Sequence, residues 1–398
     1  MEDIKVYANK ELTGKIFFEK DENFFGFNYL TNNKTISLAM PFKNSTYIWK
    51  YCLHPIFDMN MPEGYLFEIF KKFLTKEYGY INDFIIFSHI CPNIQSRLTF
   101  ESQTSKSKFE NLNLEDILEN DNNTTFIKIV NMFLNKNAIS GVQPKSLAIL
   151  KDKESLTTKE YIIKTFGEEY PELVLNEYFC LKSLEKAGVD IPNIKLSKNN
   201  KFLVVEKFNY DKKSDSFFGF EEIACLLGKN KDEKYNGSYE QVAKILYSVC
   251  TNKIETMKSF YKLILMNYLL KNGDAHLKNF GIIYDTNISE IKFAPAYDVV
   301  NTLVYFPKDK PALTMFGKKL WFGRKELIKF GILNCYIKEK QANDIYDSSI
   351  SALKDSIKEV EEYCKINTNF KEIGNKLINI WNISLDEKTY KEIKFETL

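Results

Sequence analysis

Asn272-Gly273-Asp274-Ala275-His276-Leu277-Lys278-Asn279-Phe280-Gly281 decides how this chain is read, together with Ala294-Pro295-Ala296-Tyr297-Asp298 a short apolar stretch later. Asp274 and Asn279 stand in an Asp-x-x-x-x-Asn spacing, and Asp298 closes the next strand-like run. An Asp that orients a hydroxyl, an Asn on a metal ion and a second Asp on that ion are the parts phosphoryl transfer needs. A loop of this length lets Asp274 and Asn279 face one ion. Each residue alone reads more simply: Asp274 as an Asx-turn after Gly273, Asn279 as a helix cap, Asp298 as a turn residue after Pro295. Their combination favours a site.

Working outward, His276 follows Asp274 by two residues and either hydrogen-bonds a phosphate oxygen or holds the loop backbone. Lys278 either neutralises phosphate charge or points to solvent. Upstream, Tyr161-Ile162-Ile163-Lys164 reads as a strand that ends on a lysine, the kind that presents an amine to phosphates. Glu177 lies on the helix expected next; it either pairs with Lys164 or sits exposed. Ser140-Gly141-Val142-Gln143-Pro144-Lys145 is a loop whose glycine permits close backbone approach to a phosphate and whose lysine adds charge. It lacks a G-x-G-x-x-G pattern. Glu206-Lys207-Phe208 follows the apolar run Phe202 to Val205; it reads as a hinge whose backbone meets an adenine, or as a plain linker.

The 398 residues exceed one ordinary core, and 44% hydrophobic content is enough for two or three domains. The formal charge of +2, from 55 basic and 53 acidic residues, gives no global field for nucleic acid. Seven cysteines without a C-x-x-C pair, and three histidines, favour reduced buried thiols over a disulfide or zinc framework. No apolar run approaches a membrane span, and Met1-Glu2-Asp3-Ile4-Lys5 lacks a signal core, so a cytoplasmic, membrane-free protein is expected.

Residues 4–42 read as a β-meander: strands at Ile4–Ala8, Leu12–Glu19, Phe24–Tyr29 and Ile36–Met40, with turns at Asn9-Lys10, Asp21-Glu22-Asn23 and Asn32-Asn33. Helices are expected over 63–77 and 81–90. Polar stretches at 101–108 and 120–125 mark a boundary. Beyond it, strands are expected at 147–150, 161–165, 194–196 and 202–205, with a helix over 173–186. Helices then dominate, at 220–227, 238–250 and 255–271, interrupted by short strands near 281–284 and 291–294. The Lys/Glu-rich tail after 337 reads as solvated helix surface. The reading is α+β: a small N-terminal β-rich subdomain over 1–105, a strand-rich lobe over 126–208 and a helical lobe over 209–398, the two-lobed order of a protein kinase.

The chain resembles the HipA family of bacterial toxin serine/threonine kinases. The match rests on Ser140 to Lys145, Asn176-Glu177-Tyr178, Gly273 to Phe280 and Ala294 to Val299, in the family's order. Val6-Tyr7, Ser37-Leu38 and Pro62-Glu63-Gly64 look like the family's N-terminal subdomain. The resemblance implies an ATP- and Mg²⁺-dependent transferase. In it Asp274 is catalytic, Asn279 and Asp298 bind Mg²⁺, and Lys164 and residues 140–145 hold phosphates. Glu206, Lys207 and Phe208 meet adenine, and His276, Leu277, Lys278 and Tyr297 line the nucleotide site. It further implies a toxin that phosphorylates a serine on a translation factor, typically glutamyl-tRNA synthetase. Its partner would be a helix-turn-helix antitoxin, with DNA reached only through that antitoxin.

Two departures stand out. The resemblance implies a phosphoprotein, but Ala138 occupies the position where the family often carries an autophosphorylated serine, so only Ser140 could serve in that loop. Gly219-Phe220-Glu221-Glu222, with Cys225 after it, replaces a His-Gln-Glu-Asp segment and its following glutamine. Two other classes compete with the kinase reading. One is a non-catalytic kinase-fold module that holds an antitoxin–DNA complex. The other is a small-molecule or lipid kinase, suggested by the Asp-before-His order.

Overall fold

The computed structural model describes residues 3–61, 64–103, 113–122, 124–125, 154–157, 160–167 and 169–386. The chain divides into two compact units. The first comprises Met1–Glu169, Lys195–Glu233 and Tyr284–Ile288; the second comprises Tyr170–Ile194, Lys234–Ile283 and Ser289–Leu398.

The first unit is built on two sheets. Strands β1 (Ile4–Ala8), β2 (Glu11–Glu19), β3 (Phe24–Tyr29), β4 (Tyr47–Lys50) and β5 (Leu98–Glu101) form one sheet in the order β4-β3-β2-β1-β5. Asn9 and Lys10 both take positive φ, 52° and 68°, the conformation a two-residue hairpin between β1 and β2 demands. Alternation sends Ile4, Val6 and Ala8 inward and Lys5 outward, where its ammonium meets Glu101 at 2.7 Å. Strands β6 (Glu154–Thr157), β7 (Tyr161–Thr165), β8 (Ile194–Leu196) and β9 (Leu203–Glu206) form the second sheet, in the order β6-β7-β9-β8. Both sheets feed one apolar cluster, in which Phe27 of β3 and the helical Phe57 and Phe87 join Ile163, Phe202 and Val204.

One expected strand is absent. Ile36–Met40 forms a tight loop closed by a single Ser37–Met40 bridge. Its polar groups are satisfied by side chains, so no ladder partner is needed. Arg97 donates to the carbonyls of Ile36 (3.2 Å) and Thr35 (2.8 Å), Ser37 Oγ and Leu38 N each donate to Glu221 at 2.8 Å, and Tyr29 OH donates to Met40 O. Tyr284 OH also donates to Glu221, at 2.7 Å. The expected helix over 220–227 likewise begins as a strand, Gly219–Glu222, before a single helical turn, Ile223–Leu226. Residues 138, 140–145 and 147–150 lie outside the described residues.

The second unit is helical. Its central helix, Lys253–Leu270, buries residues on every side, as a helix apolar all round must. Helices Leu173–Lys186, Tyr239–Val249, Glu339–Ile366 and Lys371–Leu385 pack against it. Helix Tyr239–Val249 opens with a capping box: Ser238 Oγ accepts from Gln241 N at 3.2 Å, and Gln241 Oε1 accepts from Ser238 N at 3.1 Å. All seven cysteines are free thiols, as composition suggested. Among the described residues no helix is long and apolar enough to cross a membrane.

Candidate active site

The loop that carries Asp274 and Asn279 is shaped by the end of the central helix. Lys271 turns into the left-handed region (φ 58°), and the N–H of Asn272 returns to Asn267 O at 2.9 Å. Side-chain bonds then fix the turn. Asn272 Nδ2 donates to Asn267 Oδ1 (2.9 Å), Gly273 N donates to Thr302 Oγ1 (3.0 Å), and Asp274 N donates to Asn272 Oδ1 (3.2 Å). At Gly273 an added Cβ would lie 2.0 Å from Asp309 Oδ2 and 2.4 Å from Thr302 Oγ1, so only glycine fits. His276 N donates to Asp274 O at 2.7 Å, and a 3₁₀ turn over Leu277–Asn279 completes the loop. Buried Phe280, edge-on to Tyr239 and Phe260, anchors its far end.

Asp298 returns to this loop by strand pairing. Ala294 N donates to Gly281 O at 2.9 Å, so the segment after Ile291–Phe293 runs back beside the residues before Gly281. Asn279 Nδ2 consequently donates to Asp298 O at 3.1 Å and approaches Asp298 Oδ2 at 3.4 Å. Asp298 holds φ at 56°, a left-handed conformation that aspartate tolerates better than most residues. Tyr297 OH donates to Lys278 O at 2.7 Å and pins the 3₁₀ turn. Past Asp298, Asn176 and Asn301 exchange two bonds of 2.9 Å, tying this segment to helix Leu173–Lys186.

His276 sits among these groups. Its ring is buried, its Nε2 lies 3.9 Å from Asp274 Oδ1, and its Nδ1 is buried without a hydrogen-bond partner among the described residues. Burial pulls its pKa down to about 4. The charges of Asp274 and Asp298 work against that fall, while those of Lys234 and Lys278 add to it. Tyr235, which the spacing of motifs did not point to, donates its hydroxyl to Asp274 Oδ1 at 2.8 Å and packs edge-on to His276 at 5.1 Å. Among the described residues no cluster of three or more His, Cys, Asp or Glu side chains could hold a metal. Asp298 with Asn279 is a smaller oxygen set.

The other expected residues divide between the units. Lys164 is buried on β7, opposite Leu203 of β9. Glu177 is buried on helix Leu173–Lys186 of the second unit. Glu206 ends β9 and meets Lys212 Nζ at 2.9 Å. Lys207 N donates to Glu160 O at 2.7 Å and its Nζ to Gln95 O at 2.8 Å; burial lowers its pKa to about 8. Phe208 packs edge-on to Phe220 at 5.3 Å. Ser140, Gly141, Val142, Gln143, Pro144 and Lys145 lie outside the described residues.

Both halves of the chain match known families. A family described as the HipA-like C-terminal domain matches residues 137–357, and one described as the HipA N-terminal domain matches residues 4–92. A putative kinase of Haemophilus influenzae is 34% identical over 184 residues, 42% of this chain and 53% of that protein. The putative kinase Y4dM of Sinorhizobium fredii is 24% identical over 204 residues, 46% of this chain and 49% of that protein. The chain thus spans about half the length of the curated relatives it matches. A solved complex of the Shewanella oneidensis MR-1 toxin–antitoxin system, HipA with HipB and operator DNA, supplies a chain similar over 99% of this one and 100% of its own. The TM-score is 0.67 at 13% identity, a likeness of fold: α+β and kinase-like.

Proposed function

Because the chain belongs to the HipA family, we propose that it is a serine/threonine protein kinase that transfers the γ-phosphoryl group of ATP, with Mg²⁺, as the toxin of a toxin–antitoxin pair. The observation that carries this reading is the Asn279–Asp298 contact beside the loop of Asp274. Asn279 spends its Nδ2 on Asp298, and among the described residues nothing hydrogen-bonds its Oδ1. An amide oxygen next to a carboxylate is the hard, two-ligand set that suits Mg²⁺, which keeps waters and takes phosphate oxygens for its remaining positions. The buried Nδ1 of His276 has no partner among the described residues and fits a polar ligand at the same place. The residues therefore fit a metal–nucleotide ligand, with Asn279 and Asp298 on the ion. When bound, Mg²⁺ supplies neutralisation of the charge spread over the transferring phosphate.

Asp274 is assigned to orient the acceptor hydroxyl and take its proton, steadied by Tyr235. His276, neutral at pH 7, is assigned to donate its ring N–H to a phosphate oxygen without adding charge. Tyr297 and Leu277 act through the loop they hold. Lys278, and Lys164 of the first unit, are the proposed cationic contacts to phosphate, with residues 140–145. Glu206, Lys207 and Phe208 are proposed to meet adenine through their backbones, since the Lys207 amine is taken by Gln95 O. By analogy with the Shewanella complex, a DNA-binding antitoxin is the proposed partner. A serine on a translation factor such as glutamyl-tRNA synthetase is the proposed target.

Calorimetric titration of ATP at rising Mg²⁺ tests the reading. Wild type is expected to bind more tightly as Mg²⁺ increases, and Asp298→Asn and Asn279→Ala to lose most of that dependence. Equal Mg²⁺ response in all three proteins would remove these residues from the metal site.

A further inference from the structure

A groove of about 1280 Å³ opens in the second unit, lined by Lys271, by residues between Lys308 and Leu333, and by Glu339, Asn343 and Tyr346. Six Lys/Arg side chains line it besides buried Lys271, whose pKa burial lowers to about 7, against three Asp/Glu, in a chain whose net charge is only +2. Arg324 is paired with Asp347 at 2.7 Å. Lys308, Lys310, Lys319 and Lys325 are exposed, and among the described residues no carboxylate lies at ion-pair distance from them. A concave wall with an excess of one sign focuses its field on an opposite charge. The groove also holds the start of helix Arg324–Asn334, where first-turn N–H groups add to the positive field and Glu326 in the same turn offsets part of it.

The groove adjoins the catalytic loop. Asp309, one of its lining residues, is the group an added Cβ at Gly273 would strike, and Gly273 precedes Asp274. Lys271, fully buried with its ammonium donating to Tyr268 O at 3.1 Å, lies three residues before Asp274.

From charge and position together, we infer that this groove docks an acidic segment of the protein acceptor, delivering a neighbouring hydroxyl to Asp274. The occupant is a peptide with Asp or Glu near an apolar side chain. The remaining wall is aliphatic, with exposed Leu320 and Leu333 beside Ile328 and Ile332. Trp321 and Phe322 pack on Tyr268, with ring centroids 5.6 Å and 6.4 Å away, and Trp321 Nε1 donates to Asp309 O. Rings so engaged make a poor stacking platform for bases, which a nucleic-acid strand would require.

The inference deepens the kinase reading by naming its acceptor class, but docking itself requires no phosphate transfer. Its test uses the full chain carrying Asp274→Asn, without nucleotide, and fluorescence anisotropy with three probes. These are a labelled serine peptide flanked by Glu and Leu, the same peptide with each Glu replaced by Gln, and a single-stranded oligonucleotide. The Glu peptide is expected to bind about tenfold or more tightly than the Gln peptide and to weaken as salt rises. The triple variant Lys308→Gln/Lys310→Gln/Lys325→Gln is expected to abolish that preference with an unchanged thermal melt, as exposed lysines allow. Lys319→Gln gives a second, smaller loss if the triple variant melts early. Equal binding of the two peptides, an unaffected triple variant, or tighter lysine-dependent binding of the oligonucleotide would overturn the inference. Failure of phosphate transfer in wild type, with Glu-selective binding intact, would instead fall on the kinase reading alone.

Discussion

Protonation of His276 reads the electrostatics of the site most directly. Its ring is 5% exposed, and burial lowers its pKa from 6.5 to about 4 against the pull of Asp274 and Asp298. That depression corresponds to about 3 kcal/mol of preference for the neutral ring. Below pH 6.5 the unfolded chain binds a proton that the folded chain refuses until pH 4. This residue therefore lowers stability as pH falls through that window and has no effect above it. With only three histidines in the chain, ring-proton NMR resolves each, and His276→Gln identifies the signal. A midpoint near pH 4 is expected. Denaturant unfolding should show wild type losing up to about 3 kcal/mol more than His276→Gln between pH 7 and pH 4. Buried His54, also depressed, to about 3, is common to both proteins and cancels. A midpoint at or above 6.5 with parallel stability curves would refute the buried neutral ring.

Other substitutions test the loop. Gly273→Ala places a methyl group 2.0 Å from Asp309 Oδ2 and is expected to cost about 1–3 kcal/mol in denaturant unfolding and to depress phosphate transfer further than that loss explains. Tyr235→Phe removes the 2.8 Å bond to Asp274 at an exposed edge. It should leave the melting temperature within a degree or two, and lower kcat by about three- to tenfold with the KM for ATP unchanged, in steady-state transfer assays.

The loop was legible because its chemistry is local: Asp274 and Asn279 declare themselves by spacing, and the helix before them by its continuous apolar run. Strands β1 to β3 were legible through alternation and their Asn-containing turns. Ile36–Met40 carries a strand's composition, yet its hydrogen bonds go to Arg97, Glu221 and Tyr29, partners that no local pattern reveals. Strands as short as Tyr47–Lys50 and Leu98–Glu101 offer too few residues for a period to register. Tyr235 escaped for a similar reason, since 39 residues separate it from the aspartate it holds. Helix Arg324–Asn334 hides behind Gly331, a poor helix former kept there because a Cβ would lie 2.7 Å from the Tyr261 ring. The groove that this helix helps to line was equally out of reach: its lysines from Lys308 to Lys329 lie close in sequence, but no local pattern shows that the segment folds into a concave wall.

The central claim is that Asp274 carries out phosphate transfer from ATP. Incubating purified wild type and Asp274→Asn with γ-labelled ATP, Mg²⁺ and a cell extract, and following label into protein serine, measures it directly. The account predicts transfer by wild type and a loss on the order of 10²–10⁴-fold in Asp274→Asn, whose melting temperature stays unchanged. Equal incorporation by the two proteins would contradict it.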